Sequence, residues 1–265
     1  MSSLTRYTVD GVTLLGDVHR PGGVAFAFTE RTGGVSGGPY ASLNLGDACG
    51  DDPACVEENR TRALAALSPA ADISKLIVPR QVHGDTVVRL AACDEASIAR
   101  AQSEARRGAD AVVVSAPGVP VLLCFADCVP VVIVAEGGFA VIHSGWKGTY
   151  ARIAAHAASA LSRATGTHPS GMGAYIGPHI LGDEYAVDEG LAARFAASFG
   201  AGVVGAGRTL DLGACIAATL GAAGFDPGSI HDDLISCVSE GARFFSYRAS
   251  GGICGRQGAL AIMGA

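Results

Sequence analysis

The sequence has few charged residues and no segment rich in Lys and Arg. Asp, Glu, Lys and Arg make up 17% of the 265 residues, and the formal net charge is −6. Proteins that bind a phosphate backbone concentrate basic residues on one surface, a composition that this chain does not have. We therefore expect no nucleic acid among its partners.

A long uninterrupted apolar segment is also missing. The most apolar region, 111–134, is interrupted by three prolines and one aspartate, whereas a membrane-spanning helix needs about 20 consecutive apolar residues. Residues 1–11 contain no apolar core of the kind that signal peptides carry. We therefore expect no membrane association and a cytoplasmic location.

The eight cysteines do not require disulfide bonds. A chain of this size can bury a large core, and a reducing cytoplasm keeps thiols reduced, so we expect most of the cysteines to be small buried side chains. Hydrophobic residues form 49% of the sequence, which predicts strands buried on both faces. The length is typical of one large domain, which we predict to span residues 1–265.

Two common nucleotide-binding motifs are absent. No Gly-x-Gly-x-x-Gly follows the first predicted strand, at 22–28, and Trp146-Lys147-Gly148-Thr149 lacks the upstream glycine of a phosphate-binding loop. The predicted strands cluster in the middle of the chain and the helices follow, so the strict alternation of a Rossmann fold fails. The pattern favours an α/β protein with a mixed or antiparallel sheet arrangement.

Valine-rich segments between prolines and glycines predict the central strands. These segments are 76–78, 86–90, 111–114, 121–125, 129–134 and 139–143. Asp52 and Pro53 suit the start of a helix that we predict to run to Leu67. Further helices are predicted at 149–163, 187–199 and 212–223. We expect Trp146, the one tryptophan, to be a core aromatic.

Three residues of the kind that bind zinc lie beside turn signals. They are His83 in Gln-Val-His-Gly, Cys128 in Ala-Asp-Cys-Val-Pro and His143 in Val-Ile-His-Ser-Gly-Trp. A structural zinc normally takes four protein donors, so two imidazoles and one thiolate describe an open, catalytic site. If the three residues converge, the chain is a metalloenzyme.

A hairpin brings two of these residues together. The segment 135–138 separates two predicted strands, and the simplest pairing sets Val134 opposite Phe139 and therefore Pro130 opposite His143. Cys128 is then a diagonal neighbour of His143, roughly 7–8 Å away between α-carbons. No local argument places His83, and a lone His-Gly at a turn is more often a structural or surface histidine.

These motifs, taken together, resemble the multicopper polyphenol oxidoreductase, or laccase-domain, family of the purine nucleoside phosphorylase type. The resemblance covers nearly the whole chain. It is carried by Arg31-Thr-Gly-Gly-Val-Ser-Gly-Gly-Pro-Tyr-Ala-Ser-Leu-Asn-Leu-Gly46, Glu58-Asn59-Arg60, Gln81-Val82-His83-Gly84, Ala126-Asp127-Cys128-Val129-Pro130, His143-Ser144-Gly145-Trp146-Lys147-Gly148, Tyr175-Ile176-Gly177-Pro178 and Phe245-Ser246-Tyr247-Arg248. The tail 246–256 departs from the family, which tends to have a second arginine and Thr-Gly-Arg there.

The resemblance implies a single-domain α/β/β/α arrangement with mixed β-sheets, in which His83, Cys128 and His143 are zinc ligands. It also implies phosphorolysis of adenosine, inosine and related nucleosides, adenosine deamination, and a copper-dependent polyphenol oxidase activity. The implied partners are a purine nucleoside and phosphate, with the chain as a monomer or homodimer. Seven histidines, none in His-x-His, do not supply the separate copper cluster of a true laccase, although copper at the His/Cys/His site stays open.

Phosphorolysis asks for groups that hold phosphate against C1′ while charge accumulates on the departing purine, which favours arginines and amides. Our candidates are Asn44 and Arg60, with Gln81 as a further substrate-binding residue, and the proposed catalytic residues are Cys128, Asp127 and Lys147. Arg60 could equally be a solvated surface charge, and Asn44 could stabilise a turn. Asp127 and Gln81 could orient ligands through hydrogen bonds, and Asp127 could instead cap the turn.

Two other interpretations use the same residues. In a metal-free cysteine hydrolase or amidase, which could edit a peptidoglycan precursor, Cys128 is the nucleophile and His143 the base. In a binding protein with a structural zinc, the metal is held without turnover. Deamination needs a proton shuttle, yet the His-x-Glu and Pro-Cys-x-x-Cys pattern of nucleobase deaminases is missing.

Overall fold

Two β-sheets organise the chain, which a computed structural model describes for residues 4–264. The first sheet has the strand order β1-β2-β3-β11-β6, with every neighbouring pair antiparallel. Its strands are β1 (Thr5–Val9), β2 (Val12–Gly16), β3 (Val24–Thr29), β6 (Val121–Phe125) and β11 (Gln257–Met263).

The second sheet is mixed and has the order β10-β9-β7-β8-β5-β4. Its two outermost pairs, β10 with β9 and β4 with β5, are parallel, and the remaining pairs are antiparallel. Its strands are β4 (Val87–Leu90), β5 (Ala111–Val114), β7 (Val129–Ala135), β8 (Gly138–Ser144), β9 (Gly173–Ile176) and β10 (Ile230–Asp232).

Helices flank the two sheets. They are α1 (Pro53–Leu67), α2 (Glu95–Arg107), α3 (Trp146–Tyr150), α4 (Ile153–Thr165), α5 (Glu189–Phe199) and α6 (Leu212–Ala222). One apolar cluster packs α1 against the first sheet, and another packs α4, α5 and α6 against the second. None of these helices combines the length and apolar character that crossing a membrane requires.

A third apolar cluster lies between the sheets and joins them into one core. It contains Phe26 and Phe125 of the first sheet and Val132 of the second. Residues 4–264 therefore form one α/β domain with the layers α/β/β/α, as the family resemblance implies. The predicted bounds 1–265 include residues 1–3 and 265, which lie outside the described residues.

Strands β7 and β8 confirm two features of the sequence analysis. Along β7, Val131 and Ile133 face the outer helices while Val132 and Val134 face the other sheet, so the strand is buried on both sides. The hairpin has the predicted register, with Val134 opposite Phe139 and Pro130 opposite His143. Because β6 belongs to the first sheet and β7 to the second, the turn 126–128 crosses between the sheets.

Helix α1 has its predicted bounds, and the Asp52 side chain caps it by accepting from the Ala54 amide at 2.9 Å.

Two other predicted elements differ from the structure. The helix predicted at 149–163 is two helices, because Arg152 adopts a left-handed conformation between α3 and α4. The strand predicted at 76–78 is a single bridge from Ile77 to Val121.

One buried amide ties the glycine-rich loop 31–46 to α1. Asn59 is fully buried, and its Nδ2 donates to Ser36 Oγ at 2.8 Å and to the Asn44 carbonyl at 2.9 Å. Its Oδ1 accepts from the Val35 amide at 2.8 Å. The loop therefore has a fixed path, although it contains no regular strand.

Asn59→Ala is expected to lower the free energy of unfolding by about 2–4 kcal/mol, because it leaves several buried polar groups without partners. Chemical denaturation of the full chain measures the change. Glu58→Ala, at the exposed neighbouring position, is the control and should change stability by less than about 0.5 kcal/mol. Equal effects of the two substitutions would show that the Asn59 hydrogen bonds do not hold the loop.

Candidate metal centre

His83, Cys128 and His143 converge. One ligand-type atom of each residue lies within 4.8 Å of those of the other two, and residues 4–264 contain no second group of three that meets this criterion. The imidazole rings of His83 and His143 are 4.8 Å apart between centroids and nearly perpendicular, at 84°. His83 is exposed, Cys128 is half-buried and His143 is buried.

The crossover turn between the sheets positions Cys128 beside His143. The pairing of β7 with β8 sets Pro130 opposite His143, two residues after Cys128. Asp127 takes a positive φ of 83°, which turns the chain sharply just before the thiol. A Cβ atom on Gly145 would lie 3.0 Å from Cys128 Sγ and 3.1 Å from His83 Cδ2, so the glycine allows the backbone to pack against the ligands.

Asp110 brings His83 to the site. Its fully buried carboxylate accepts from the backbone N–H groups of His83 at 2.9 Å and Gly84 at 2.7 Å. The same carboxylate lies 2.8 Å from Nδ1 of His143. Asp110 directly precedes β5, and because β5 pairs with β8, Asp110 lies beside His143. The His143 amide donates to the Asp110 carbonyl at 2.7 Å. One side chain thus holds both histidines.

Asp110 was missed by the sequence analysis, although a signal exists. An aspartate directly before a fully apolar strand, Ala111–Val114, is an expensive residue to bury unless it has several donors. Burial raises the pKa of Asp110, but the hydrogen bonds from His143 and Gly84 outweigh it and hold the pKa below its ordinary value. The carboxylate is therefore charged and keeps Nε2 of His143 for the site.

Of the Cys128 thiol and the His143 imidazole, the imidazole holds the proton, so the two side chains form a charged pair. Burial raises the pKa of Cys128, but the charge of His143 and hydrogen bonds from both histidines lower it to about 6. Burial lowers the pKa of His143, whereas the Cys128 thiolate and Asp110 raise it to about 9. At neutral pH the metal-free protein therefore has a thiolate in contact with an imidazolium.

A cavity of about 630 Å³ opens above these residues. Besides His83, Cys128 and His143, its wall includes the predicted site residues Arg60, Gln81 and Asp127. Trp146, predicted as a core aromatic, is half-buried against the apolar cluster of the second sheet and also lines the cavity. Three of the cysteines, Cys49, Cys124 and Cys128, line it as well. The expectation that most cysteines are buried is wrong, since only Cys215, Cys237 and Cys254 are.

Gln81 and Asp127 hold parts of the wall in place. The Gln81 side chain donates to the carbonyl of Cys124 at 2.7 Å and accepts from its amide at 2.8 Å, which joins the His83 turn to β6. The Asp127 carboxylate accepts from Ser246 Oγ and from the Arg248 amide, both at 2.6 Å. Asp127 therefore fixes the loop that follows Phe245.

Asn44 and Lys147 do not line the cavity. Asn44 is fully buried, and its amide group bonds to Gly46, Asp51 and the backbone of Arg256, so we expect it to act on a ligand through the loop that it holds. Lys147 is exposed, with Nζ 5.5 Å from the Trp146 ring centroid. Its predicted catalytic role stays a prediction that the shape of the cavity does not support.

The fold and the site define an α/β/β/α protein with an open His/Cys/His centre where its two sheets meet. The profile described as "Multi-copper polyphenol oxidoreductase laccase" matches residues 25–264. The chain therefore belongs to this laccase-domain family.

Relatives and solved structures agree with this assignment. The chain is 40% identical over 244 residues to a "Purine nucleoside phosphorylase" of Deinococcus radiodurans, covering 89% of this chain and 88% of the relative. It is 35% identical to another from Streptomyces coelicolor, covering 89% and 94%. The crystal structure of YlmD from Geobacillus stearothermophilus superposes over the full length of both chains, with a TM-score of 0.84 and 28% identity.

Alkylation of Cys128 in the metal-free protein should follow a pKa of about 6. The thiolate is the reactive form, so the rate should rise with pH through 6 and level off before neutrality. Peptide mass spectrometry after short iodoacetamide pulses at several pH values measures the rate at each cysteine, with Cys128→Ser as the control for assignment. A midpoint near 8.5, where an ordinary thiol titrates, would contradict the charged pair.

Proposed function

We propose that the chain is a zinc-dependent purine nucleoside phosphorylase that acts on adenosine, inosine and related nucleosides with phosphate. The observation that carries the proposal is the convergence of His83, Cys128 and His143 at the wall of a cavity. The substrate class is supported by two relatives named purine nucleoside phosphorylase, which align with 89% of this chain.

The donor set fits zinc. Zinc takes thiolate and imidazole ligands, and three protein donors leave one position for a reacting molecule. Cys128 is a thiolate at neutral pH, since its pKa is about 6, and Asp110 occupies Nδ1 of His143 and leaves Nε2 for the metal. When bound, zinc would supply a Lewis acid that polarises the substrate. Copper also prefers nitrogen and sulfur donors, so we propose it as a competing ion that could support weak phenol oxidation.

Phosphorolysis replaces one bond at C1′ of the ribose with another. A phosphate oxygen bonds to C1′ while the C1′–N9 bond breaks, and its electron pair passes to N9 of the purine, which takes up a proton. The products are ribose 1-phosphate and the free base. Such a reaction is accelerated by groups that hold phosphate in line with C1′ and neutralise developing charge.

The cavity wall offers both kinds of surface that these substrates need. Guanidinium groups, among them that of Arg60, provide positive charge for phosphate, and Trp146, Tyr185 and Tyr247 provide aromatic faces for the purine and ribose. Gln81 and Asp127 position the surrounding backbone through the hydrogen bonds described above. Asn44 does not line the wall, but its side chain accepts a hydrogen bond from the backbone amide of Arg256, which does.

A cysteine hydrolase or amidase that could edit a peptidoglycan precursor is the second candidate, because one observation favours it. Asp110, His143 and Cys128 form a continuous chain of interactions with the thiol ionised by the imidazole, the arrangement that activates a nucleophilic cysteine. The two candidates differ in their need for metal. A zinc-free protein that turns over and is inactivated by alkylation would favour the hydrolase.

Incubation of the full chain with inosine and phosphate is expected to release hypoxanthine and ribose 1-phosphate in equal amounts. Chromatography of both products measures the reaction, and Cys128→Ser should reduce the rate by more than about 100-fold because the metal loses its thiolate ligand. Product at or below the level of Cys128→Ser would exclude this substrate class. With adenosine in phosphate-free buffer, inosine formation would measure the deaminase activity that the resemblance implies.

Asp110→Asn is expected to weaken Zn²⁺ binding by about 10–100-fold, because the amide cannot accept from all of the N–H groups that converge there. Competition with a chromophoric chelator measures the affinity. Asp85→Asn is a matched control: Asp85 is exposed and lies two residues after His83. An affinity within twofold of the original in a folded Asp110→Asn protein would mean that the carboxylate does not position the ligands.

A further inference from the structure

Among residues 4–264, one buried side-chain polar atom has no hydrogen-bond partner, and it is Nη2 of Arg60. Arg60 lies on the cavity wall, and its side chain is 12% exposed. Its Nε donates to the Leu45 carbonyl at 2.9 Å. Its Nη2 lies 3.2 Å from Asp47 Oδ2 but is outside hydrogen-bonding geometry. Nη2 is enclosed by protein and paired with Asp47, whereas Nη1 has no acceptor among the described residues and is not enclosed, so Nη1 is the donor that a ligand in the cavity can reach.

Asp47 does not cancel the charge of Arg60. The same carboxylate oxygen, Oδ2, accepts from Arg106 Nη1 at 2.9 Å, so two guanidinium groups share one carboxylate. Burial raises the pKa of Asp47, but Arg106 and Arg60 lower it further, so the group is a carboxylate at neutral pH. The cluster of Arg60, Asp47 and Arg106 therefore retains one positive charge beside the cavity.

A second arginine meets the same loop. Arg256 also lines the cavity, its amide donates to Asn44 Oδ1 at 2.8 Å, and its carbonyl accepts from the Leu45 amide at 2.9 Å. A Cβ atom on Gly46 would lie 2.6 Å from Arg256 Cγ, so the glycine lets the arginine stem pack flat against the loop. Residues 44–46 thus support both arginines.

Arg256 also has N–H donors without an acceptor. Its Nη1 donates to the carbonyls of Cys254 at 2.7 Å and Gly255 at 2.9 Å. Within the described part of the chain, Nε and Nη2 of Arg256 have no acceptor. The neighbouring thiol does not oppose an anion, because burial raises the pKa of Cys124 to about 11 and keeps it neutral.

We propose that Arg60 and Arg256, supported by the loop 44–46, form the phosphate subsite of the cavity. Two guanidinium groups with unused N–H donors suit a dianionic tetrahedral oxyanion, which accepts several charge-assisted hydrogen bonds at once. The role of the anion as a co-substrate rests on the proposed function, whereas its binding does not.

The other arginines of the wall suit this role less well. Arg80 and Arg248 are exposed, so solvent satisfies their free donors. Arg80 Nη2 donates to the Arg107 carbonyl at 2.8 Å, and both terminal nitrogens of Arg248 lie 3.3 Å from the Ala186 carbonyl. Arg60 is largely shielded from solvent, and its Nη1 has no acceptor among the described residues, which is why we place the anion beside it.

The subsite also lies near the proposed metal site. Cys124, whose Sγ is 3.3 Å from the Leu45 carbonyl, precedes Cys128 by four residues. The α-carbons of these two cysteines are therefore at most about 14 Å apart. The proposal therefore places the nucleoside between the two groups of side chains, with its ribose toward the arginines and its base toward the histidines.

Phosphate binding without nucleoside tests the subsite directly. Thermal unfolding of the full chain is followed across a phosphate series at constant ionic strength, with chloride as the balancing anion, and the shift gives the dissociation constant. Arg60→Gln and Arg256→Gln should each weaken phosphate binding about tenfold or more, the loss expected for one charged hydrogen-bond donor. Arg62→Gln, an exposed position on the same helix whose partner is Glu58, should match the original protein.

Steady-state kinetics separates this inference from the proposed function. In Arg60→Gln and Arg256→Gln the KM for phosphate should rise about tenfold or more while the KM for inosine stays within about threefold. Arg256→Lys, which keeps the charge, should lie between Arg256→Gln and the original protein.

Each alternative result has a defined meaning. Phosphate binding that is lost in both glutamine variants, from a protein that forms no ribose 1-phosphate, would support the subsite and reject the phosphorylase. Phosphorolysis with an unchanged KM for phosphate in both variants would reject the subsite and keep the phosphorylase. A raised KM for phosphate in Arg248→Gln alone, or no preference for phosphate over chloride in the original protein, would overturn the proposal.

Discussion

The carboxylate of Asp110 is the constraint on which the site depends. It is fully buried, and a buried charge is tolerated only where donors surround it. Here the donors are the backbone of the turn 82–84 and the ring of His143. The hydrogen bonds to this one carboxylate therefore fix the turn that carries His83, the ring orientation of His143 and the start of β5. Asp110 thus holds two of the three proposed metal ligands, His83 and His143.

The sandwich architecture explains why the cavity forms at this place. The chain leaves the first sheet at Phe125 and enters the second at Val129, so the end of β6 and the start of β7 lie close together. Asp127, in the middle of the crossover, fastens the loop 246–248, and Gln81 fastens the His83 turn to β6. The loop 44–46 supports the two arginines through hydrogen bonds of its backbone and of Asn44. The proposed metal ligands and the two arginines thus line one cavity.

The sequence predicts what local pairing controls. Valine-rich strands, the cap of α1 and the hairpin register follow from neighbouring residues, so the approach of Cys128 to His143 could be derived from spacing. His83 could not, because the contact that brings it in is made by Asp110, 27 residues later in the chain. Strand β11 pairs with β3 and β6, both more than 130 residues earlier, and no local pattern reports such a contact.

Single side chains show the same limit. Trp146, predicted as a core aromatic, packs against the apolar cluster of the second sheet but is only half-buried and also lines the cavity, because α3 begins one residue after the buried end of β8. Lys147, its neighbour, faces outward, and Arg256 faces inward because its backbone is bonded to Asn44, 212 residues away. Whether a polar side chain meets a ligand or the solvent depends on such distant contacts, which a motif does not encode.

X-ray absorption spectroscopy on the zinc-loaded protein tests the central claim most directly. The account predicts one sulfur at about 2.3 Å and two imidazole nitrogens at about 2.0–2.1 Å, with a fourth, lighter atom completing the tetrahedron. A spectrum with no sulfur neighbour, or with two or more, would contradict the assignment of His83, Cys128 and His143 as an open catalytic centre.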